Sequence, residues 1–230
     1  MAFANTRLLK QLPTIALAAV LCTGAFWHST TAAAGSGVTL PPAKTTLDVK
    51  GDEPQTAILA GGCYWGMEEV FQHVKGVTDV VTGYAGGTQE HANYADSSSG
   101  LYDDAEAVRI SYDPRQVSYT DLLLIYFSVA HDPTQVNRQG PDVGPQYRSE
   151  IFATNADQVS VARAYVRQLD EAGVFDRPVA TKITEHQNFF PAESYMQDYA
   201  RKHPESLYIR INDAPKVAAL KARFPDRYHE

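Results

Sequence analysis

The residues best equipped for chemistry lie in "GGCYWGMEEVF", where Cys63 follows Gly61 and Gly62 and precedes Tyr64 and Trp65. The run "TAILA" just before it predicts a short strand that ends at the glycines. Met67, Val70, Phe71 and Val74 then recur at i, i+3, i+4 and i+7, the apolar stripe of a helix. Cys63 therefore sits where a strand gives way to a helix. Backbone N–H groups at such an end lack helical partners, and the dipole adds partial positive charge, conditions that acidify a thiol and make it nucleophilic. The glycines allow unusual backbone angles and close approach of a substrate. Tyr64 and Trp65 read either as core rings or as an apolar cup for a small ligand. On these residues alone Cys63 is a reactive thiol or a buried structural one.

Glu106, in "AEAVRISY", is the second residue of interest. Alternation along a strand puts it on one face with Val108 and Ile110. A carboxyl on an apolar face is costly unless it is paired or functional, whereas an isolated strand glutamate usually faces water.

The elements that must hold these groups can be read along the chain. Glu68 and Glu69 fall in the expected first turns after Cys63, where the dipole favours acids, and Gly76 is the expected stop. "VTDVVTGYAGG" is a strand running into a turn, and "TQEHANYADSSSGLYDD" a polar loop. "AEAVRISYDP" is a strand, and "SYTDLLLIYFSVAHDP" a serine-capped buried helix. A long loop, "TQVNRQGPDVGPQYRS", leads to the strand "EIFAT" and the helix "NADQVSVARAYVRQLDEAG". "RPVATKITE" reads as a strand, with helices over "PAESYMQDYARKHP" and "PKVAALKARFP". Strands and helices interleave without a repeat, which predicts an α/β or α+β domain built on one mixed sheet flanked by helices.

The chain has 230 residues and a formal net charge of −7. Its length suits one moderate domain, and nothing resembles the basic stripe of a nucleic-acid binder. Residues 1–34 combine Arg7 and Lys10, an apolar run from Leu12 to Trp27 and the small-residue stretch "TTAAAGSG", the three parts of a secretory signal peptide. Cleavage is expected after Ala34. The apolar run is short for a membrane span and holds Pro13, so stable membrane insertion is not expected. The mature chain would carry 18 basic and 27 acidic residues, a net charge of −9, and would keep Cys63 while losing Cys22. The expectation is an exported, periplasmic protein with one unpaired thiol, a situation that favours a reactive role. Residues 35–54 read as an extended arm and 55–230 as the domain.

The quoted cysteine stretch resembles the nucleophile motif of the A-type peptide methionine sulfoxide reductases. The likeness continues through "VTGYAGG", "NYADSSSG", "DDAEAVRISYDP", "HDPTQVNRQGPDVGPQYRS", "ITEHQNFFPAESYMQDY" and "KARFPDRY", over about residues 55 to 228. The resemblance implies a two-layer domain with a ferredoxin-like core. It implies that Cys63 attacks the sulfoxide sulfur of methionine S-sulfoxide, free or in oxidised proteins. Glu106 would protonate the sulfoxide oxygen, while Tyr94, Asp142 and Tyr147 would hold it. Tyr64 and Trp65 would receive the S-methyl group, Tyr64 standing where Phe is frequent. Without the resemblance, Tyr94 and Tyr147 read as amphipathic surface cover and Asp142 as a turn former. The chemistry is sound: oxygen leaves sulfur poorly unless protonated, a buried carboxyl can stay protonated near neutral pH, and phenols can stabilise charge on oxygen.

Two positions depart from the family pattern. Ser98 stands where many members carry a resolving cysteine, and the C-terminal "FPDRYHE" offers none. An external thiol is therefore expected to reduce Cys63, either a small thiol or a thioredoxin- or glutaredoxin-like protein. Met196 stands where His is frequent, at a position expected to be structural. No metal or organic cofactor is expected: the seven histidines lack zinc-ligand spacing, and His91 with Asp96, Asp103 and Asp104 reads as a solvated acidic loop. "GYAGGT" is not a phosphate loop. Two other readings are a cysteine acyl-transfer or hydrolytic enzyme using His131 or His186, and a non-catalytic module that binds peptides in the aromatic cup.

Overall fold

The structure, a computed structural model, describes Met1 and residues 39–47, 51–185 and 188–230. The signal-like segment, Cys22 and His186 lie outside the described residues. In order, the elements are β1 (Gln55–Gly61), α1 (Tyr64–Gln72), β2 (Val77–Ala85), α2 (Tyr94–Ser99), β3 (Ala105–Tyr112) and α3 (Tyr119–Ile125). Then come β4 (Arg138–Gln139), β5 (Asp142–Val143), β6 (Ser149–Ala153), α4 (Ala156–Glu171) and β7 (Lys182–Glu185). β8 (Phe189–Pro191), α5 (Tyr199–Lys202) and α6 (Ala214–Arg223) complete the series.

Among the described residues, six strands form one sheet in the order β7-β6-β1-β3-β2-β8. β6 and β7 pair in parallel, whereas β1–β3, β1–β6, β2–β3 and β2–β8 are antiparallel. The inner order β6-β1-β3-β2, with α1 joining β1 to β2 and α3 joining β3 to β6, is the split βαβ arrangement of a ferredoxin-like core. The mixed sheet and flanking helices expected from the sequence are thus present.

Alternation assigns each strand residue to a face. Leu59, Val108, Ile110 and Tyr84 join Met67, Val70, Phe71, Leu122, Leu123 and Tyr165 in the larger core, beneath the helices. The opposite face is built from small residues, Ala60, Ala85, Ala105 and Ala107 with Ile58 and Phe152, and is packed by Phe189. Each fully buried large side chain of the main core contributes roughly 1.5–3 kcal/mol. α3 starts at a reciprocal capping box between Ser118 and Asp121 and continues into a π-helical turn, Tyr126–Ala130. The part of the arm at residues 39–47 is docked on α4: Tyr165 Oη donates to Pro41 O, and Gln168 binds both Pro42 O and Lys44 N.

Several local expectations are corrected. α1 ends at Gln72, before Gly76, and Val74 instead bridges to Tyr228. Glu68 and Glu69 lie in its second turn. Glu68 is buried, accepts a hydrogen bond from Asp198 N and is pushed up to about 7 by burial, so it does not act as a dipole partner. The polar loop contains α2, capped by the Asn93 side chain on Asp96 N and by Gly100 at φ 69°. "PAESYMQDYARKHP" is helical only over Tyr199–Lys202, because Asp198 turns into the left-handed region at φ 56°. The strand in "RPVATKITE" shrinks to Lys182–Glu185, the long loop folds a small β4–β5 hairpin, and β8 was not expected. Met196 is buried in the main core.

Candidate active site

Cys63 is the residue that caps α1, with φ −53° and ψ 124°, and it is 7% exposed. The approach to it is tightly built. Gly62 has φ 90°, and a Cβ there would lie 2.5 Å from Gln139 Cγ. Gln139 is itself fixed by exchanging hydrogen bonds with the backbone of Asp132, so the loop after α3 closes over the glycine. Trp65 N–H is directed at the thiol, as the helix-end argument requires. The expected acidification nevertheless fails. Burial, then the nearby Glu106 and Asp213, hold the thiol well above its ordinary value, and Trp65 N–H and Lys216 oppose this only in part. A desolvated thiolate beside two carboxyls is the stronger effect.

Glu106 faces the main core, 3% exposed, opposite Tyr84 in the β2–β3 register. Its Oε2 accepts Tyr64 N–H at 3.1 Å, which ties the carboxyl to the residue after Cys63. Burial pushes it up to about 8, a rise the Tyr64 N–H opposes and Asp142 and Asp213 reinforce. At neutral pH it is a protonated acid beside a thiol.

Tyr94, at the start of α2, is 41% exposed, whereas Tyr147 is half-buried in a 3₁₀ turn, Pro145–Tyr147. Both phenols are raised, mainly by burial and then by Glu106, and both also feel Cys63. Neither phenol oxygen is tied to another side chain among the described residues. Asp142, in the β4–β5 hairpin, accepts the Tyr208 hydroxyl and is raised by burial against that bond and Lys216. Tyr64 is 1% exposed, a buried wall whose hydroxyl lies 3.4 Å from that of Tyr84. Trp65 is half-buried and stacks on Tyr199, centroids 3.8 Å apart, with Tyr208 edge-on at 6.1 Å. Residues from α1, α2, β3 and the 3₁₀ turn thus gather around Cys63, and Asp142 from β5 reaches this group through Glu106 and Tyr147.

Sequence reasoning missed other members. Tyr199 and Tyr208 complete the aromatic wall, and Glu193 accepts Tyr84 Oη and Tyr94 N–H, linking β2 to α2. Asp213 and Lys216 form a buried ion pair near α1. The signals available for these were that Glu193 and Tyr199 lie in the quoted stretch "ITEHQNFFPAESYMQDY" and that Lys216 interrupts the apolar pattern of "PKVAALKARFP". His131 is unsuited to serve as a base for Cys63. Its Nδ1–H donates to Tyr126 O, its Nε2 accepts from Ser149 Oγ at 2.7 Å, and burial lowers it to about 4. His91 stacks on Tyr102 and binds Asp96, and among the described residues no three His, Cys, Asp or Glu side chains are placed to hold a metal.

A protein-family model described as peptide methionine sulfoxide reductase matches residues 55–228. Peptide methionine sulfoxide reductase MsrA 2 of Synechocystis is 50% identical over 190 residues, 83% of this chain and 87% of its own. MsrA of Thermus thermophilus is 44% identical over 170 residues, 74% of this chain and 95% of its own. Among solved structures, reduced Mxr1 of Saccharomyces cerevisiae superposes with a TM-score of 0.59 at 31% identity, covering 71% of this chain and 92% of that one. Methionine sulfoxide reductase A of Corynebacterium diphtheriae gives 0.57 at 30%, covering 73% and 84%. Family match and fold agree: the chain belongs to the A-type peptide methionine sulfoxide reductases, and its activity is the thiol-dependent reduction of methionine sulfoxide.

Proposed function

We propose that Cys63 is the nucleophile and Glu106 the acid of this reaction, on S-epimer methionine sulfoxide, free or in oxidised proteins. The observation that carries the assignment is the buried Glu106 carboxyl, up to about 8 and fastened to Tyr64 N–H beside the thiol. The Cys63 sulfur attacks the sulfoxide sulfur as Glu106 delivers a proton to the oxygen. The thiol's own proton joins the same oxygen, so the S–O bond breaks with loss of water and leaves a sulfonium bonded to Cys63. Water then adds to the Cys63 sulfur and gives a proton back to Glu106, the sulfur–sulfur bond breaks, and the products are the thioether and a sulfenic acid on Cys63. Tyr94, Tyr147 and Asp142 hold the oxygen, and their electrostatic coupling to Glu106 and one another supports that role. Tyr64 and Trp65, the latter against Tyr199, receive the methyl group. The resting thiol is protonated, so the thiolate forms when substrate occupies the site.

The cycle closes through an external thiol. Cys63 is a free cysteine, and Ser98 stands where many relatives carry a resolving cysteine, its hydroxyl donating to Ala95 O. One external thiol displaces the sulfenic oxygen as water and leaves a mixed disulfide; a second restores Cys63. A small thiol or a thioredoxin- or glutaredoxin-like protein supplies both. Among the described residues no helix is long and apolar enough to cross a membrane. The composition of residues 1–34 supports export to the periplasm after cleavage, leaving an arm at 35–54 and the catalytic domain at 55–230.

Turnover of dabsyl-labelled methionine sulfoxide with dithiothreitol tests the assignment. Cys63→Ser is expected to abolish reduction, and unchanged turnover by that variant would sink the reading. Dimedone is expected to label Cys63 after one turnover without reductant; an intramolecular disulfide would instead overturn the one-cysteine cycle. The mass of the exported protein checks the cut after Ala34.

A further inference from the structure

Among the buried charges that the mechanism above leaves unused, one pair lies against α1. Asp213 closes a π-helical turn, Ile209–Asp213, and Lys216 lies in the first turn of α6. Lys216 Nζ donates to Asp213 Oδ1 at 3.1 Å, with side chains 4% and 0% exposed. The second oxygen, Oδ2, has no partner among the described residues. Buried ion pairs add little to stability and can often be replaced by apolar residues without loss, and an unsatisfied oxygen weakens this one further. Stability alone does not account for it.

Its placement does. The pair is seated against Gly66, one turn after Cys63 on α1. A Cβ at Gly66 would lie 2.0 Å from Asp213 Oδ1 and 2.8 Å from Lys216 Nζ, so the helix leaves room for two charges where a side chain would stand. We propose that this pair is a positioning device for the reaction, in which Lys216 supplies the positive potential that stabilises the Cys63 thiolate and Asp213 anchors the ammonium beside the helix. The role rests on Cys63 being the nucleophile.

The groups facing the thiol are Glu106 from β3, Tyr94 from α2, Tyr147 from the 3₁₀ turn, Tyr64 from α1, and Tyr208, Asp213 and Lys216 from the C-terminal segment. Lys216 is the one cation in this set. It also favours the ionised form of Asp142 and Glu69 and disfavours protonation of His131. Asp213 acts with opposite sign, holding both Cys63 and Glu106 up. Charges this deep are weakly screened by salt, so each partner is felt at the sulfur.

The two charges therefore predict shifts of opposite sign. The readout is the pH dependence of Cys63 alkylation by iodoacetamide, followed by mass spectrometry on the peptide that carries it. Lys216→Met is expected to raise the midpoint by about one pH unit, slowing alkylation at a fixed pH about tenfold. Asp213→Asn, which keeps the shape and the acceptor for Lys216, is expected to lower it by a similar amount. The double variant is expected to return toward wild type. Shifts of one sign in both single variants, or none in either, overturn the proposal. If Lys216→Met does not fold, the near-isosteric Asp213→Asn decides alone, an unmoved or raised midpoint being the overturning result. Alkylation needs no turnover, so these outcomes are separate from the loss of reduction in Cys63→Ser.

Discussion

Two glutamates buried in the same sheet have opposite surroundings. Glu150 on β6 is 5% exposed and saturated: Arg148 donates to Oε2 and Thr184 Oγ1 to Oε1, while Arg148 also spans Pro145 O and Asp103 O. Glu106 on β3, 3% exposed, receives one backbone N–H and has Asp142 and Asp213 as electrostatic neighbours. The first arrangement fastens β6 to β7 and to the turn that carries Tyr147. The second leaves a carboxyl with spare hydrogen-bonding capacity and a proton to give. Withholding partners from a buried acid is what makes it reactive, whereas supplying them makes it structural.

One substitution made twice separates the two. Glu106→Gln keeps shape and removes the transferable proton, so kcat is expected to fall by about 10²–10⁴-fold with folding intact, as for loss of a general acid. A fall below about tenfold would move the acid elsewhere. Glu150→Gln leaves the Arg148 guanidinium buried opposite a neutral amide. A stability loss of about 3 kcal/mol is expected, with turnover per folded molecule unchanged. Denaturant titration checks it, and a chain of this size should show a fall in Tm of about 10 °C. Equal losses of stability in both variants would erase the contrast.

The comparison sharpens with pH. The folded value of Glu106 is about 8, against an unfolded carboxyl near 4.3. From about pH 4 upward the unfolded chain releases this proton while the folded chain keeps it, so the group's contribution to stability falls as pH rises through the folded value. Glu106→Gln removes that slope. Its stability relative to wild type is expected to improve by about 3 kcal/mol between pH 5 and pH 8, on the scale of 1.36 kcal/mol for each unit the carboxyl is displaced. The raised acids Glu68 and Asp213 are common to both proteins and cancel from the difference. Parallel stability curves would show that Glu106 ionises as freely folded as unfolded.

Much of this contrast was legible in the sequence, and its failures share a cause. The apolar stripe of α1, the alternation of β3 and the capped α4 follow from local periodicity, and each element formed. The shared face of Glu106, Val108 and Ile110 also followed. What local rules missed depends on distant partners. Glu193 and Gln197, read as helix residues, instead bond β2 and α2 through Tyr84 Oη, Tyr94 N, Thr82 N and Thr82 O, and the helix there is reduced to one turn. The helix end alone predicts an acidic Cys63 thiol, but Glu106 comes from 43 positions onward and Asp213 from 150, separations no local pattern encodes. Tyr199 and Tyr208 join Trp65 only because the C-terminal segment returns across α1.

The smallest expected effect is the most discriminating about why Glu150 is inert. Thr184→Val removes one donor from Oε1 while leaving Arg148 in place, so the carboxylate stays charged and paired. A loss of about 1.5 kcal/mol is expected, the scale of one hydrogen bond to a charged group, with no change in turnover. If the carboxylate held by Arg148 alone were already saturated, Thr184→Val would be neutral, and ion pairing by itself would suffice to keep a buried glutamate structural. A measurable loss says that both oxygens need filling. Glu106 then differs from Glu150 in the number of donors it is denied as well as in the missing cation, and the oxygen left without a donor is the one that can carry a proton to a sulfoxide.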